Sequence, residues 1–188
     1  MDMARAVTVS RITRVVRFRH IDVYVHWSVF LIGTLVLIGG IRKPIATLIG
    51  LAAYVGVLAI HETGHLMVAR RKGYDAMSME LYPIFGLARI ERPDSRVDRA
   101  IIAWGGVAAQ AVVGIPLTLY TVLWGYTRFE AINAALAILG GASLLIAAIN
   151  LLPISRLDGS QAWDLIPALI ERRQRRRMRR VMPYRSPR

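Results

Sequence analysis

Four stretches of this chain, 23–41, 44–60, 100–127 and 131–155, contain no Lys, Arg, Asp or Glu. Each is close to the ~20 residues that a helix needs to cross a bilayer, and nothing else in the sequence constrains the fold as tightly. Charge is not scarce: the 188 residues are 55% hydrophobic yet carry a formal net charge of +13, so the two characters are segregated along the chain. Helices of a small soluble bundle keep a polar stripe toward water, and these segments have almost none. The composition therefore predicts a mainly α, polytopic membrane protein with about four transmembrane helices.

The expected spans are 27–41, 44–70, 100–124 and 131–153, the second opening at Pro44, a favoured first-turn residue. The early arginines suit a signal peptide, but the apolar stretch after them starts late and runs long, which predicts an uncleaved first helix. Between the second and third spans, 77–91 shows partial alternation broken by Pro83 and Gly86, a small cytoplasmic hairpin. Ile21, Val23 and Val25 alternate with His20, Asp22 and Tyr24, which suggests a further strand over 17–26. Residues 1–171 then read as one membrane-embedded domain and 172–188 as a basic cytoplasmic tail.

Basic residues set the orientation. Four spans put the N-terminal arm, the loop between the second and third spans, and the tail on one side, and that side holds 22 of the 25 Lys and Arg; only Arg42, Lys43 and Arg128 fall on the other. The positive-inside rule makes the rich side cytoplasmic, as in a multi-pass protein of the cell (inner) membrane with both termini inside. The run Arg172 to Arg180 holds topology and meets anionic lipid more simply than it binds nucleic acid, which is not expected as a partner.

Chemistry enters with His61-Glu62-Thr63-Gly64-His65 on the second span. Histidines four residues apart project from one helix face and can hold one metal ion, and Glu62 between them can reach a metal-activated water as general base. On a soluble surface the motif can be two exposed histidines beside a charge. Within an apolar helix, where ionisable groups are costly to bury, it points to function. The chain has no cysteine, so any zinc must be held by His, Asp or Glu. A catalytic zinc usually takes three protein ligands. His20 and His26 precede the first span and suit a strand or the interface better than ligation. Asp158, in Asn150-Leu-Leu-Pro153-Ile-Ser-Arg-Leu-Asp158-Gly159, is the stronger candidate. The second and fourth spans run in the same direction, and Pro153 and Gly159 should break the fourth and turn Asp158 inward at the depth of His61.

The pair His-Glu-x-Gly-His on one helix and Asn-x-x-Pro-x-x-x-x-Asp-Gly on another resembles the site-2 protease family of intramembrane metalloproteases, peptidase family M50, in a minimal form without a PDZ or CBS domain. The resemblance runs in order from a strand leading into His26-Trp27-Ser28, through the zinc helix and a hairpin with Phe85-Gly86, to the aspartate helix. It implies one zinc ion bound by His61, His65 and Asp158, with Glu62 as catalytic base. It also implies Asn150 near the scissile carbonyl, as an oxyanion donor or an interhelical hydrogen bond. The implied activity is hydrolysis of peptide bonds in transmembrane segments of other membrane proteins, as in regulated intramembrane proteolysis, with the hairpin pairing to an unwound substrate. A non-catalytic, metal-binding membrane adaptor is the alternative, and Glu62 argues against it. There are departures. Where relatives often have Gly-Pro-x-x-Asn, this chain has Gly106-Val107-Ala108-Ala109-Gln110, and Ser155-Arg156 and Ser160 replace Pro and Gly common around the aspartate. The glycines and alanines at 105–109 also suit close helix packing.

Overall fold

The computed structural model describes residues 12–18, 21–155 and 157–181; His20, Arg5, Arg11, Arg19, Arg156 and the last seven residues of the tail lie outside them. Strands β1 (Ile12–Phe18) and β2 (Ile21–His26) lead into helix α1 (Trp27–Gly39). Helix α2 (Pro44–Arg71), strands β3 (Ala76–Leu81) and β4 (Gly86–Ile90), and helix α3 (Arg96–Trp124) follow. Helix α4 runs Glu130–Asn150, and two further helices, α5 (Gly159–Ala162) and α6 (Leu165–Val181), complete the described chain.

Among the described residues, α2, α3 and α4 are the three helices long and apolar enough to cross a membrane. The first uncharged stretch folds differently, because its N-terminal part belongs to β2 and only 13 residues remain for α1. At 1.5 Å per residue that is about 20 Å, short of a ~30 Å hydrocarbon core. Ile45, Leu48, Val112, Val122 and Leu145 are each more than half exposed, an apolar surface of the kind lipid covers and water does not favour. Proline starts α2, and Ser95 caps α3 by accepting from the Asp98 backbone N–H, with Asp98 favourably placed at the positive end of the helix dipole.

The helices meet where side chains are smallest. A Cβ added to Gly105 would lie 2.7 Å from the Gly64 carbonyl oxygen, and one on Gly64 would overlap the Gly105 carbonyl, so α2 and α3 touch backbone to backbone. Farther along, Gly114 faces Leu144, and Gly140 faces Thr118. Residues Ala137–Ala142 of α4 form a π-helical segment. The extra residue per turn shifts the phase of everything after it by roughly 100°, and Asn150 lies after it.

A four-stranded sheet in the order β1-β2-β3-β4 sits against α2. Pairing is antiparallel for β1–β2 and β3–β4 and parallel for β2–β3, where Asp22 aligns with Ser78 and Val25 with Leu81. The parallel pair requires a crossover, which α1 and α2 supply. Ala76, Met79 and Leu81 form a core with Leu58 and Leu66 of α2, with Ile21, Val23 and Val25 packed beside them. Glu80 faces elsewhere and is buried, but Arg89 and the Tyr82 hydroxyl both donate to it, as a buried carboxylate needs. The β3–β4 turn is fastened down: Tyr54 Oη of α2 donates to the Pro83 carbonyl at 2.8 Å, and Tyr82 stacks between His26 and Phe85. Strand β4 is thereby left at the sheet edge, lying along α2 at the level of Glu62.

Candidate metal centre

His61, Glu62 and His65 lie in the buried part of α2, each about 95% shielded from solvent. One helical turn separates the two imidazoles, and their rings meet edge to face with centroids 4.7 Å apart. Their Nδ1 atoms point outward to α3. His65 Nδ1–H donates to the Ile102 carbonyl at 2.8 Å, and His61 Nδ1–H donates to Gln110 Oε1 at 2.8 Å. A carbonyl oxygen can only accept, so each proton is held on Nδ1 and each Nε2 keeps its lone pair.

The two Nε2 atoms converge, 3.1 Å apart, and Asp158 joins them, with Oδ2 at 2.9 Å from His61 Nε2 and 3.3 Å from His65 Nε2. Asp158 comes from the far end of the domain. Helix α4 stops at Asn150, the chain turns through Pro153, and it doubles back so closely that a Cβ on Gly159 would overlap the Leu151 and Leu152 carbonyls. Trp163 Nε1–H, donating to the Leu151 carbonyl at 2.7 Å, and Trp104 Nε1–H, donating to the Ala162 carbonyl at 3.0 Å, pin this return.

Three atoms with lone pairs directed at one another repel unless a proton or a cation stands between them. Two ligands at 2.0–2.1 Å from a tetrahedral zinc ion are separated by ~3.3 Å, and the observed separations of 2.9, 3.1 and 3.3 Å are close to that edge. The donor set, two neutral imidazoles and a carboxylate, is also one that zinc accepts. The residues therefore fit a single zinc ion. Gly106 shapes the same space: a methyl there would stand 2.5 Å from His65 Nε2, 2.7 Å from His61 Cε1 and 2.8 Å from His61 Nδ1.

Glu62 does not join the three donors. Its carboxylate turns toward β4, where the Ala88 backbone N–H is directed at it and a Cβ on Gly86 would collide with it. Asn150 Nδ2 lies 3.5 Å from His61 Nε2, at the rim of the donor cluster. All five residues singled out in the sequence thus stand around one point. His26 is apart from them, capping α1 and stacking on Tyr82. The contributions of Ile102, Ala88 and Gly86 escape sequence reasoning, because two act through backbone atoms and the third through the absence of a side chain. Gln110 carried a visible signal, a polar residue in an uncharged span, but nothing in the sequence told which group it meets.

The chain is similar to known proteins in both sequence and fold. The family model for peptidase family M50 matches residues 49–137, which covers most of α2, the hairpin, α3 and the start of α4 and stops short of Asn150 and Asp158. A solved structure, the site-2 protease from Methanocaldococcus jannaschii, superposes with a TM-score of 0.58 at 20% identity, covering 86% of this chain and 72% of that one; at this identity the likeness is one of fold. No curated protein matches.

Proposed function

From the match to the model of peptidase family M50 over residues 49–137 and the likeness of fold to a site-2 protease, we propose that this chain belongs to that family and is an intramembrane zinc metalloprotease that hydrolyses peptide bonds in the transmembrane segments of other membrane proteins. The observation that carries the reading is the convergence of His61 Nε2, His65 Nε2 and an Asp158 carboxylate oxygen beside a buried carboxylate that is not one of the three. A structural zinc site is closed by its ligands and needs no general base. Glu62 is such a base in position.

In this reading His61, His65 and Asp158 hold the ion, which when bound supplies Lewis-acid polarisation of water and of the substrate carbonyl. Glu62 takes the proton of the attacking water and delivers it to the leaving amine. Asn150 Nδ2–H donates to the oxyanion that develops on the carbonyl. A helical substrate must unwind first, since its carbonyls are otherwise bonded within its own helix. The exposed edge of β4 beside Glu62 offers it strand pairing in exchange.

The excess of basic residues in the N-terminal arm, the loop after α2 and the tail supports both termini in the cytoplasm of a multi-pass inner-membrane protein, with the centre toward the cytoplasmic half of the bilayer, and the pairing of β2, before α1, with β3, after α2, supports a common side for the two ends of that helix pair. Helix α6 then lies at the cytoplasmic surface. Its exposed Ile166, Leu169 and Ile170 meet the acyl boundary, and Arg172 and Arg173 meet anionic headgroups.

Metal analysis and cleavage of a co-reconstituted membrane substrate test the proposal. Glu62→Gln should retain zinc and lose cleavage by at least about 100-fold, and Asp158→Asn should lose both. Undiminished cleavage by Glu62→Gln would refute Glu62 as the base, and zinc binding without cleavage by the unsubstituted protein would leave a metal-binding adaptor.

A further inference from the structure

We propose that Gln110 is a positioning residue, which sets His61 for metal binding by accepting its Nδ1 proton. The inference rests on the zinc reading above and assigns a task to a residue outside the ligand set. Ile102, Gly106 and Gln110 follow one another at four-residue spacing, so they line one face of α3, and that face receives both histidines. Ile102 presents a carbonyl oxygen to His65, Gly106 leaves room for the rings, and Gln110 presents an amide oxygen to His61.

One imidazole is served by the backbone, at the Ile102 carbonyl, and the other by a side chain, the Gln110 amide two turns farther along the same face. The amide's orientation follows from the zinc reading. With Nε2 facing the ring it would donate to Nδ1, force the proton onto His61 Nε2 and remove the lone pair that faces Asp158.

Gln110 is fully buried, and its Nε2 has no partner among the described residues. A buried amide donor without a partner carries a penalty that an apolar residue of the same volume avoids. Packing alone does not explain glutamine at this position; the service rendered by its oxygen does.

The test uses the full chain in lipid nanodiscs, with zinc affinity read by chelator competition and zinc-free thermal unfolding read in parallel. Gln110→Met keeps the bulk and removes the acceptor; Gln110→Glu keeps an acceptor oxygen in either protonation state. Gln110→Met should weaken zinc binding about 10- to 100-fold, the usual effect of losing a group that orients a metal ligand. Gln110→Glu should bind zinc as tightly as the unsubstituted protein, and the zinc-free unfolding midpoints should not follow the order of affinities. Zinc affinity within twofold for Gln110→Met, or Gln110→Glu as weak as Gln110→Met, would overturn the assignment. Should Gln110→Met fail to fold, Gln110→Glu decides alone: retained affinity supports the role, and a folded protein with more than tenfold weaker binding refutes it. Failure of the unsubstituted protein to bind one zinc would overturn the zinc reading itself, a result separate from equal binding by all forms.

Discussion

Adding one methyl group at Gly106 should weaken metal binding without weakening the fold. Carbon atoms in ordinary contact are ~3.5 Å apart, whereas the Gly106→Ala methyl would stand 2.5–2.8 Å from atoms of both imidazoles, an overlap of roughly 0.7–1 Å. Overpacking on this scale costs about 1–3 kcal/mol. In the zinc-free protein the rings can swing about their χ angles and relieve the overlap. In the zinc-bound protein both Nε2 atoms are fixed, so the strain falls on that state alone. At ~1.4 kcal/mol per factor of ten, zinc affinity should drop about 5- to 140-fold. Alanine is a better helix former than glycine by up to ~1 kcal/mol, and this gain is common to both states. The unfolding midpoint of the zinc-free variant should therefore be no lower than that of the unsubstituted protein. Chelator competition and thermal unfolding of the metal-free protein measure the two quantities. Unchanged zinc affinity, or a loss matched by an equal loss of zinc-free stability, would refute the argument that the ring positions at Gly106 belong to the metal-bound state.

Two further outcomes are expected. Asn150→Ala should lower kcat about 100- to 1000-fold, the usual effect of removing one oxyanion donor, and leave zinc content intact; if zinc is lost instead, Asn150 acts on His61 and not on the substrate. Deleting residues 172–188 should cut salt-sensitive binding of the C-terminal region to anionic vesicles, each arginine near the surface being worth about 1 kcal/mol; vesicle binding unchanged by the deletion would remove lipid as the tail's partner.

The long uncharged stretches and the histidine pair were open to sequence reasoning because both rest on local rules, the length of a span and the period of a helix. Asp158 became visible through chain direction: two spans with the same polarity present their late residues at the same face. The architecture between these points was less legible. Strand β1, whose pairing shifts register between Arg14 and Val16, lacks a clean alternation, and its Val15 and Val16 are both exposed. The shortness of α1 follows from β2 claiming the residues before Trp27, a tertiary decision that hydropathy does not record. The π segment of α4 occurs in Ala137-Ile-Leu-Gly-Gly-Ala142, a run that would equally suit an uninterrupted helix. Gly106 was legible as a small residue at a helix contact, but the contact it makes is with the two imidazoles and not with another backbone. Gln110 differs by one methylene from the asparagine of the related motif. Its oxygen meets His61, and no spacing rule reports that contact.

The doubling back of the chain after α4 has a consequence for biosynthesis. His61 and His65 lie on the second helix of the domain, whereas Asp158 follows the last span by eight residues. A nascent chain that has inserted α2 but not α4 presents two donors, short of the three a catalytic zinc site uses. The third donor joins them only when the final span is in place and the turn that Trp163 pins has formed behind it. On the proposed reading, the order of the ligands along the chain ties a complete ligand set to completed insertion.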